Sequence, residues 1–352
     1  MTKVRVLVIE DSLTIRKRML EVLAADPDID IVGEAADGRR GIELCQQLRP
    51  DVLTLDMMMP LMDGLAATEF IMAYCPTPIL IVSASTNRGD LFKTYDALAA
   101  GALDALDKPK ENELDDVWEK KLVATVKLIC RIRVITHPRA RLSRMGQMPA
   151  PALQNSERMR AVAIGVSTGG PAALVEILRG LPQGFPLPIL LVIHLGRLFT
   201  PAFVEWLDGQ SAVRVGYAVD GEPLPPGGKA RVLMAPPDKH LVLCQGKLRL
   251  TIEPERHSCR PSIDVLFESI AQELGAGGLG CLLTGMGRDG AAGLLAIRRA
   301  GGRTLAQDEA TSAVFGMPRE AILLGAAEQV LALEQIAPTL GMLAGAGSGR
   351  TL

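Results

Sequence analysis

Residues 161–171 read AVAIGVSTGGP, an apolar run that stops at a glycine-rich turn carrying Ser167. Gly-x-Ser-x-Gly spacing lets a backbone bend sharply enough to expose a nucleophilic hydroxyl beside the unpaired N–H groups of a following helix. Pro171 and the Ala-Ala-Leu-Val-Glu-Ile-Leu after it suit that helix, so the stretch predicts strand, tight turn, helix. The same glycines also suit a phosphate cradled at a helix N-terminus, or an ordinary turn with a capping hydroxyl. Partners elsewhere must decide. A general base for Ser167 should be a histidine, whose ordinary pKa of about 6.5 lies close to working pH. The chain has four. His137 lies in an irregular run, His240 precedes a strand-like Leu-Val-Leu and so falls at its amino end, and His257 sits in a polar loop that position alone does not exclude. His194 directly follows the apolar run 187–193, at a carboxyl end like that of Ser167, and is the preferred base. The orienting acid needs the same edge. Asp289, in Gly285-Met286-Gly287-Arg288-Asp289-Gly290, follows another apolar run; its alternative role is a cap for the helix predicted over 291–300. Backbone N–H groups of residues 284–287, Met286 among them, are available to a developing oxyanion. The order Ser, His, Asp occurs in neither chymotrypsin-like nor α/β-hydrolase enzymes, so this triad needs a different wiring.

A second set lies nearer the N-terminus. Apolar β-like runs at residues 4–9, 29–35, 51–55, 78–82 and 102–106 alternate with helix-compatible stretches, which predicts a doubly wound parallel sheet. Ligands of such sheets sit beyond the carboxyl ends of the strands. There the chain places Glu10 and Asp11, Asp56, Ser83, and Lys108 before Pro109. Clustered carboxylates repel one another without a counter-charge, so the site predicts a hard divalent cation, Mg²⁺, and a carboxylate next to that ion can accept a phosphoryl group, the metal and Lys108 offsetting the charge.

The elements that must hold these groups fall into two bodies. At 352 residues the chain is long enough for two cores, and its hydrophobic share of 48% is that of a globular protein. No signal peptide or spanning segment is read, so a cytoplasmic protein without membrane insertion is expected. Six scattered cysteines with no C-x-x-C pair argue against a zinc site and against a disulfide framework. Residues 1–126 hold 14 basic and 22 acidic side chains, 127–158 hold 7 and 1, and 159–352 hold 17 of each. The basic strip has no aromatic residue to stack on bases, so a solvated linker is expected and nucleic acid is not. Residues 112–135 keep apolar positions at helical spacing (Leu114, Val117, Trp118, Leu122, Val126, Ile129), and the pattern dissolves from Thr136 to Ser156. Domains are therefore expected at 1–125 and 159–350, joined by a helix extension and flexible linker over 126–158.

Val-Ile-Glu-Asp-Ser, Leu-Thr-Leu-Asp56-Met-Met-Met-Pro60, Ile-Val-Ser83-Ala and Asp-Lys108-Pro109 resemble the receiver domain of two-component response regulators. The resemblance implies a flavodoxin-like fold with a five-stranded parallel sheet, phosphorylation of Asp56 by a histidine kinase, Mg²⁺ held with Glu10 and Asp11, and Ser83 and Lys108 as the phosphoryl sensors. Ile164-Gly-Val-Ser-Thr-Gly-Gly170, His194, Met234-Ala-Pro-Pro-Asp-Lys-His-Leu241, Leu283-Thr-Gly-Met-Gly-Arg-Asp-Gly290 and Ala306-Gln-Asp-Glu-Ala-Thr-Ser-Ala-Val-Phe-Gly-Met-Pro318 are similar to the catalytic domain of the chemotaxis protein-glutamate methylesterase (CheB) family. That likeness implies a Rossmann-like doubly wound, mostly parallel sheet with a β-hairpin, and a catalytic domain without a cofactor. It further implies Ser167 as nucleophile, His194 as base, Asp289 as orienting acid, Thr168 and Met286 near the oxyanion, and methylated chemoreceptor helices as substrate, with deamidation of receptor glutamines as a second activity. Where the family usually has Gln-His-Met-Pro this chain has Ile193-His194-Leu195-Gly196. A monomer is expected, with the acidic receiver restraining catalysis until Asp56 is phosphorylated. The competing reading is a receiver fused to a nucleotide-binding, non-enzymatic module that uses the glycines of 165–170 for phosphate.

Overall fold

The computed structural model describes residues 3–84, 87–109, 115–132, 134, 159–196, 199–228 and 230–345. It divides into two compact units, Met1–Met145 and Gly146–Leu352. The linker expected over 136–156, with His137, lies outside the described residues.

In the first unit strands and helices alternate: β1 Val4–Ile9, α1 Leu13–Ala24, β2 Ile29–Ala35, α2 Gly38–Leu48, β3 Val52–Leu55, α3 Gly64–Tyr74, β4 Ile79–Ser83, α4 Arg88–Ala99, β5 Asp104–Asp107 and α5 Asp115–Ile129. The strands pair in parallel in the order β2-β1-β3-β4-β5. Helices cover both faces of such a sheet, which is why its central strands are largely apolar rather than alternating; β3 and β4 are buried at every position, whereas the edge strands β2 and β5 carry exposed or half-buried acids. Polar side chains start the helices: Ser12, Asp37, Asp63 and Asn87 each accept a hydrogen bond from a first-turn N–H of α1, α2, α3 and α4. On α5 the buried stripe is Trp118, Leu122, Val126 and Ile129, whereas Val117, expected on the same stripe, is 65% exposed. It precedes Trp118 by one residue, and a step of one position turns a side chain about 100° away.

The second unit begins with β6 Ala161–Val166, α6 Gly170–Gly180, β7 Ile189–Ile193, α7 Thr200–Gln210, β8 Arg214–Tyr217 and β9 Arg231–Met234. A hairpin, β10 His240–Cys244 and β11 Lys247–Thr251, follows, then α8 Ile263–Leu274, β12 Gly278–Leu282, α9 Ala291–Arg299, β13 Arg303–Gln307, α10 Met317–Leu323, β14 Gln329–Leu331 and α11 Leu333–Leu343. Seven strands form one sheet in the order β14-β13-β12-β6-β7-β9-β8, every pairing parallel, and the antiparallel pair β10 and β11 forms the separate hairpin. β6, buried along its whole length, lies between β12 and β7. Those three strands carry Asp289, Ser167 and His194 respectively on the loops after them, so the topology brings residues 122 positions apart in sequence to one rim.

Candidate active site

In the first unit the sheet order reverses between β1 and β3, and the acids follow those two strands. Glu10 and Asp56 are buried, Asp11 is exposed, and one oxygen of each lies within 4.8 Å of the others. The Lys108 ammonium spans the buried pair, 2.8 Å from Glu10 Oε1 and 2.9 Å from Asp56 Oδ2. Burial, then the Asp56 charge, push Glu10 up to about 7 against the pull of Lys108. Burial likewise raises Asp56. For Lys108 burial acts downward, but hydrogen bonds to Glu10 and Asp56 outweigh it and hold the ammonium above its ordinary range. One lysine therefore does not offset the cluster. Glu10 Oε2 is buried with no hydrogen-bond partner, and a buried unpaired carboxylate oxygen among other carboxylates is the donor set of a hard divalent cation. Ser83 is buried at the end of β4, and its carbonyl accepts from the Lys108 N–H at 3.0 Å, which draws both expected sensors to the same edge.

In the second unit, register places Val166 opposite Ile193 and Leu282 opposite Gly165, so the loops carrying Ser167, His194 and Asp289 leave the sheet side by side. Backbone hydrogen bonds tie them: His194 N–H to the Val166 carbonyl at 3.1 Å, and Ser167 N–H to the Thr284 carbonyl at 3.0 Å. Gly285 packs against the serine so closely that a Cβ there would lie 2.7 Å from that of Ser167. Gly169, at φ 76°, makes the left-handed turn into α6 that a side chain would resist. The Thr284 hydroxyl donates to the Thr168 carbonyl at 2.9 Å and accepts from the Val314 N–H at 2.9 Å, locking the serine turn to the loop after β12. Among the described residues, the Thr168 and Met286 N–H groups donate to no other group, and the Met286 side chain is half-exposed.

His194 Nε2 lies 3.0 Å from Asp289 Oδ2, a close ion pair rather than a well-formed hydrogen bond. Burial alone would lower the imidazole; the Asp289 carboxylate, followed by the Cys259 thiol, outweighs it and pushes the pKa up to about 9. The reciprocal effect overcomes burial at Asp289 and holds it below the usual carboxylate range. Its other hydrogen bonds were not foreseen. Asp289 accepts from Ser262 Oγ at 2.8 Å and from the N–H groups of Ile263 and Asp264 at 2.8 and 3.0 Å, so it anchors the start of α8. The expected alternative, a cap on α9, does not occur: Gly290 stands at that N-cap without a side-chain bond. The other two histidines among the described residues are occupied elsewhere. His240 is fully buried at the start of β10, its Nδ1 accepting from the Ser262 N–H at 3.1 Å. His257 Nε2 lies 3.0 Å from Asp264 Oδ2, and its Nδ1 faces Arg288 Nε at 3.3 Å.

Two residues around the site carry no signal in the local sequence. Cys259 Sγ lies 3.8 Å from Nδ1, the nitrogen turned away from Asp289. Gln307, fully buried, receives the Thr284 N–H at 2.8 Å and donates to the Thr311 carbonyl at 2.8 Å, stiffening the loop that abuts Ser167. A cleft of about 160 Å³ opens at His194, lined by Leu195, Asp238, Cys259 and Arg260 among others. A hydroxyl, an imidazole biased by a carboxylate, and uncommitted N–H groups on one rim are the parts of acyl transfer through a serine.

Fold and site together define a response regulator with an enzymatic output. The CheB methylesterase family model matches residues 162–340, and the response regulator receiver domain model matches residues 6–119. A protein-glutamate methylesterase/protein-glutamine glutaminase of Anaeromyxobacter dehalogenans is 44% identical over 95% of both chains. One of Pseudomonas aeruginosa is 41% identical over 99% of both. Among solved structures, the CheB methylesterase catalytic domain of Thermotoga maritima matches with a TM-score of 0.50 at 37% identity, over 53% of this chain and 100% of that one. The chain belongs to the CheB methylesterase family.

Proposed function

We propose that this chain is a phosphorylation-controlled protein-glutamate methylesterase acting on chemoreceptor helices, and that it also deamidates receptor glutamines. The domains are 1–125, a receiver, and 159–350, the esterase, with 126–158 as extension and linker. Ser167 Oγ attacks the carbonyl of a γ-glutamyl methyl ester while His194 takes its proton. The proton then passes to the leaving methoxide, methanol departs, and water repeats the sequence on the acyl-serine to release the glutamate carboxylate. Asp289 holds the imidazole and stabilises its protonated form, and the N–H groups of Thr168 and Met286 meet the oxyanion, each such donor being worth about 3 kcal/mol. With Nε2 turned to Asp289, Nδ1 is the nitrogen left for the serine, the reverse of the commoner arrangement. The observation that carries this reading is the 3.0 Å pairing of His194 with Asp289 on the rim where Ser167 follows the neighbouring strand. A glutamine side-chain amide presents the same carbonyl with ammonia as leaving group, which is why one site serves both substrates.

In the receiver, Glu10, Asp11 and Asp56 would hold Mg²⁺, which would supply positive charge to offset a phosphoryl group. Asp56 accepts that group from a histidine kinase, while Lys108 and Ser83 contact it. Phosphorylation replaces the Asp56 carboxylate charge with a phosphoryl group carrying about −1.5 to −2 and raises turnover. No helix among the described residues is long and apolar enough to cross a membrane, and the chain is proposed to act in the cytoplasm as a monomer. Methanol release from methylated receptor, with and without a small phosphodonor, tests the reading. It should occur with the intact protein, rise with the phosphodonor, and fall about a thousandfold or more in Ser167→Ala. Release undiminished in that variant would overturn it.

A further inference from the structure

Cys259 has no part in ester hydrolysis, yet the fold turns its sulfur onto the histidine. The 256–259 segment closes on itself, with Arg256 and Cys259 exchanging backbone hydrogen bonds of 3.1 and 2.9 Å. The two residues between them, His257 and Ser258, both adopt left-handed backbone at φ 53° and 60°, which non-glycine residues rarely do. This turn points the half-buried thiol at His194 Nδ1, 3.8 Å away, beside the open cleft. Zinc bonds to sulfur and to nitrogen have lengths of about 2.3 and 2.05 Å, and at a tetrahedral angle they set those two atoms about 3.6 Å apart. The observed pair is within a few tenths of an ångström of that edge. Asp289 at Nε2 supplies the carboxylate that commonly backs a metal-bound imidazole, and one ligand atom each from His194, Cys259 and Asp289 falls within 4.8 Å of the others.

We propose that Cys259 and His194 form a binding site for a thiophilic divalent cation, Zn²⁺ or its analogue Cd²⁺, and that the bound ion reversibly blocks the esterase by occupying the imidazole nitrogen. Cys259 Sγ, as thiolate, and His194 Nδ1 are the protein ligands, and water from the cleft completes the shell. The thiol proton is released to solvent on binding. The scattered cysteines argued against a zinc site because its two ligands are 65 positions apart in sequence and meet only in the fold.

The inhibitory half rests on the proposed esterase activity; the binding half does not. The intact protein is titrated with Cd²⁺ in excess Mg²⁺ while the ultraviolet thiolate-to-cadmium charge-transfer band is followed, and Zn²⁺ is titrated against methanol release. Cys259→Ser is compared with Cys244→Ser, which removes an exposed thiol elsewhere. A saturable one-equivalent band and zinc inhibition are expected in the intact protein and in Cys244→Ser. In Cys259→Ser the band should vanish, and the Zn²⁺ concentration for half-inhibition should rise about tenfold or more. A band that survives Cys259→Ser or is lost in Cys244→Ser, or equal zinc sensitivity of all three proteins, overturns the proposal. Absent methanol release with an intact Cys259-dependent band would instead count against the esterase reading.

Discussion

At the scale of single residues, the acid beside the histidine determines how the site responds to pH. With its pKa pushed to about 9, His194 is mostly protonated at neutral pH and a base only above that. Methanol release at limiting substrate should therefore rise with pH to a plateau above about 9. Replacing Asp289 by Asn removes the charge that favours the imidazolium, so the inflection should move to lower pH, with kcat falling on the order of ten-thousandfold. An inflection unmoved in Asp289→Asn would show that another group titrates. The same pairing stabilises the fold below the unfolded imidazole value of about 6.5, and the contribution is lost as pH rises through about 9. The candidate residues were legible because each follows an apolar run: Ser167, His194 and Asp289 all stand just beyond strands that pair as neighbours. Cys259 and Gln307 were not. Nothing in their local sequence marks them, and their contacts come from segments 65 and 23 positions away.

At the scale of elements, α8 and the loop after β12 hold the geometry. Ser262 caps α8 and donates to Asp289 with the same hydroxyl. Ser262→Ala should lower stability by about 1 kcal/mol in a denaturant titration and loosen the carboxylate, reducing kcat more than KM. An unchanged kcat would mean that the N–H groups of Ile263 and Asp264 suffice to orient Asp289. Gly285→Ala would set a Cβ 2.7 Å from that of Ser167 and 2.5 Å from Met317 Cε. Overpacking of this kind costs about 1–3 kcal/mol, so a lower melting temperature and a displaced, slower serine are expected; wild-type values for both would contradict the close packing. Strand positions could be read from sequence because parallel strands buried on both faces are continuous apolar runs. That Asp289 serves α8 rather than α9 could not, since its partners lie 27 positions upstream.

At the scale of the whole molecule, two units of different chemistry share one chain. The receiver's charge cluster is only partly offset by Lys108, which is the physical basis for the Mg²⁺ site proposed there. If the unphosphorylated receiver restrains catalysis, deleting residues 1–140 should raise basal methanol release, and Asp56→Asn should abolish stimulation by a phosphodonor. A truncated protein no faster than the intact one would remove restraint as the mode of control. Division into two bodies was legible from the change in charge and the loss of periodicity after residue 135. Parallel pairing of all seven strands depended on long-range register that no local pattern carries.

The most direct measurement is covalent. Incubating the intact protein with a fluorophosphonate that mimics the tetrahedral ester intermediate, followed by peptide mass spectrometry, should place one adduct on Ser167. Labelling should be absent in Ser167→Ala and strongly slowed in His194→Ala. An adduct on another residue, or labelling of Ser167 at an undiminished rate without His194, would contradict the serine, histidine and aspartate acting as one unit.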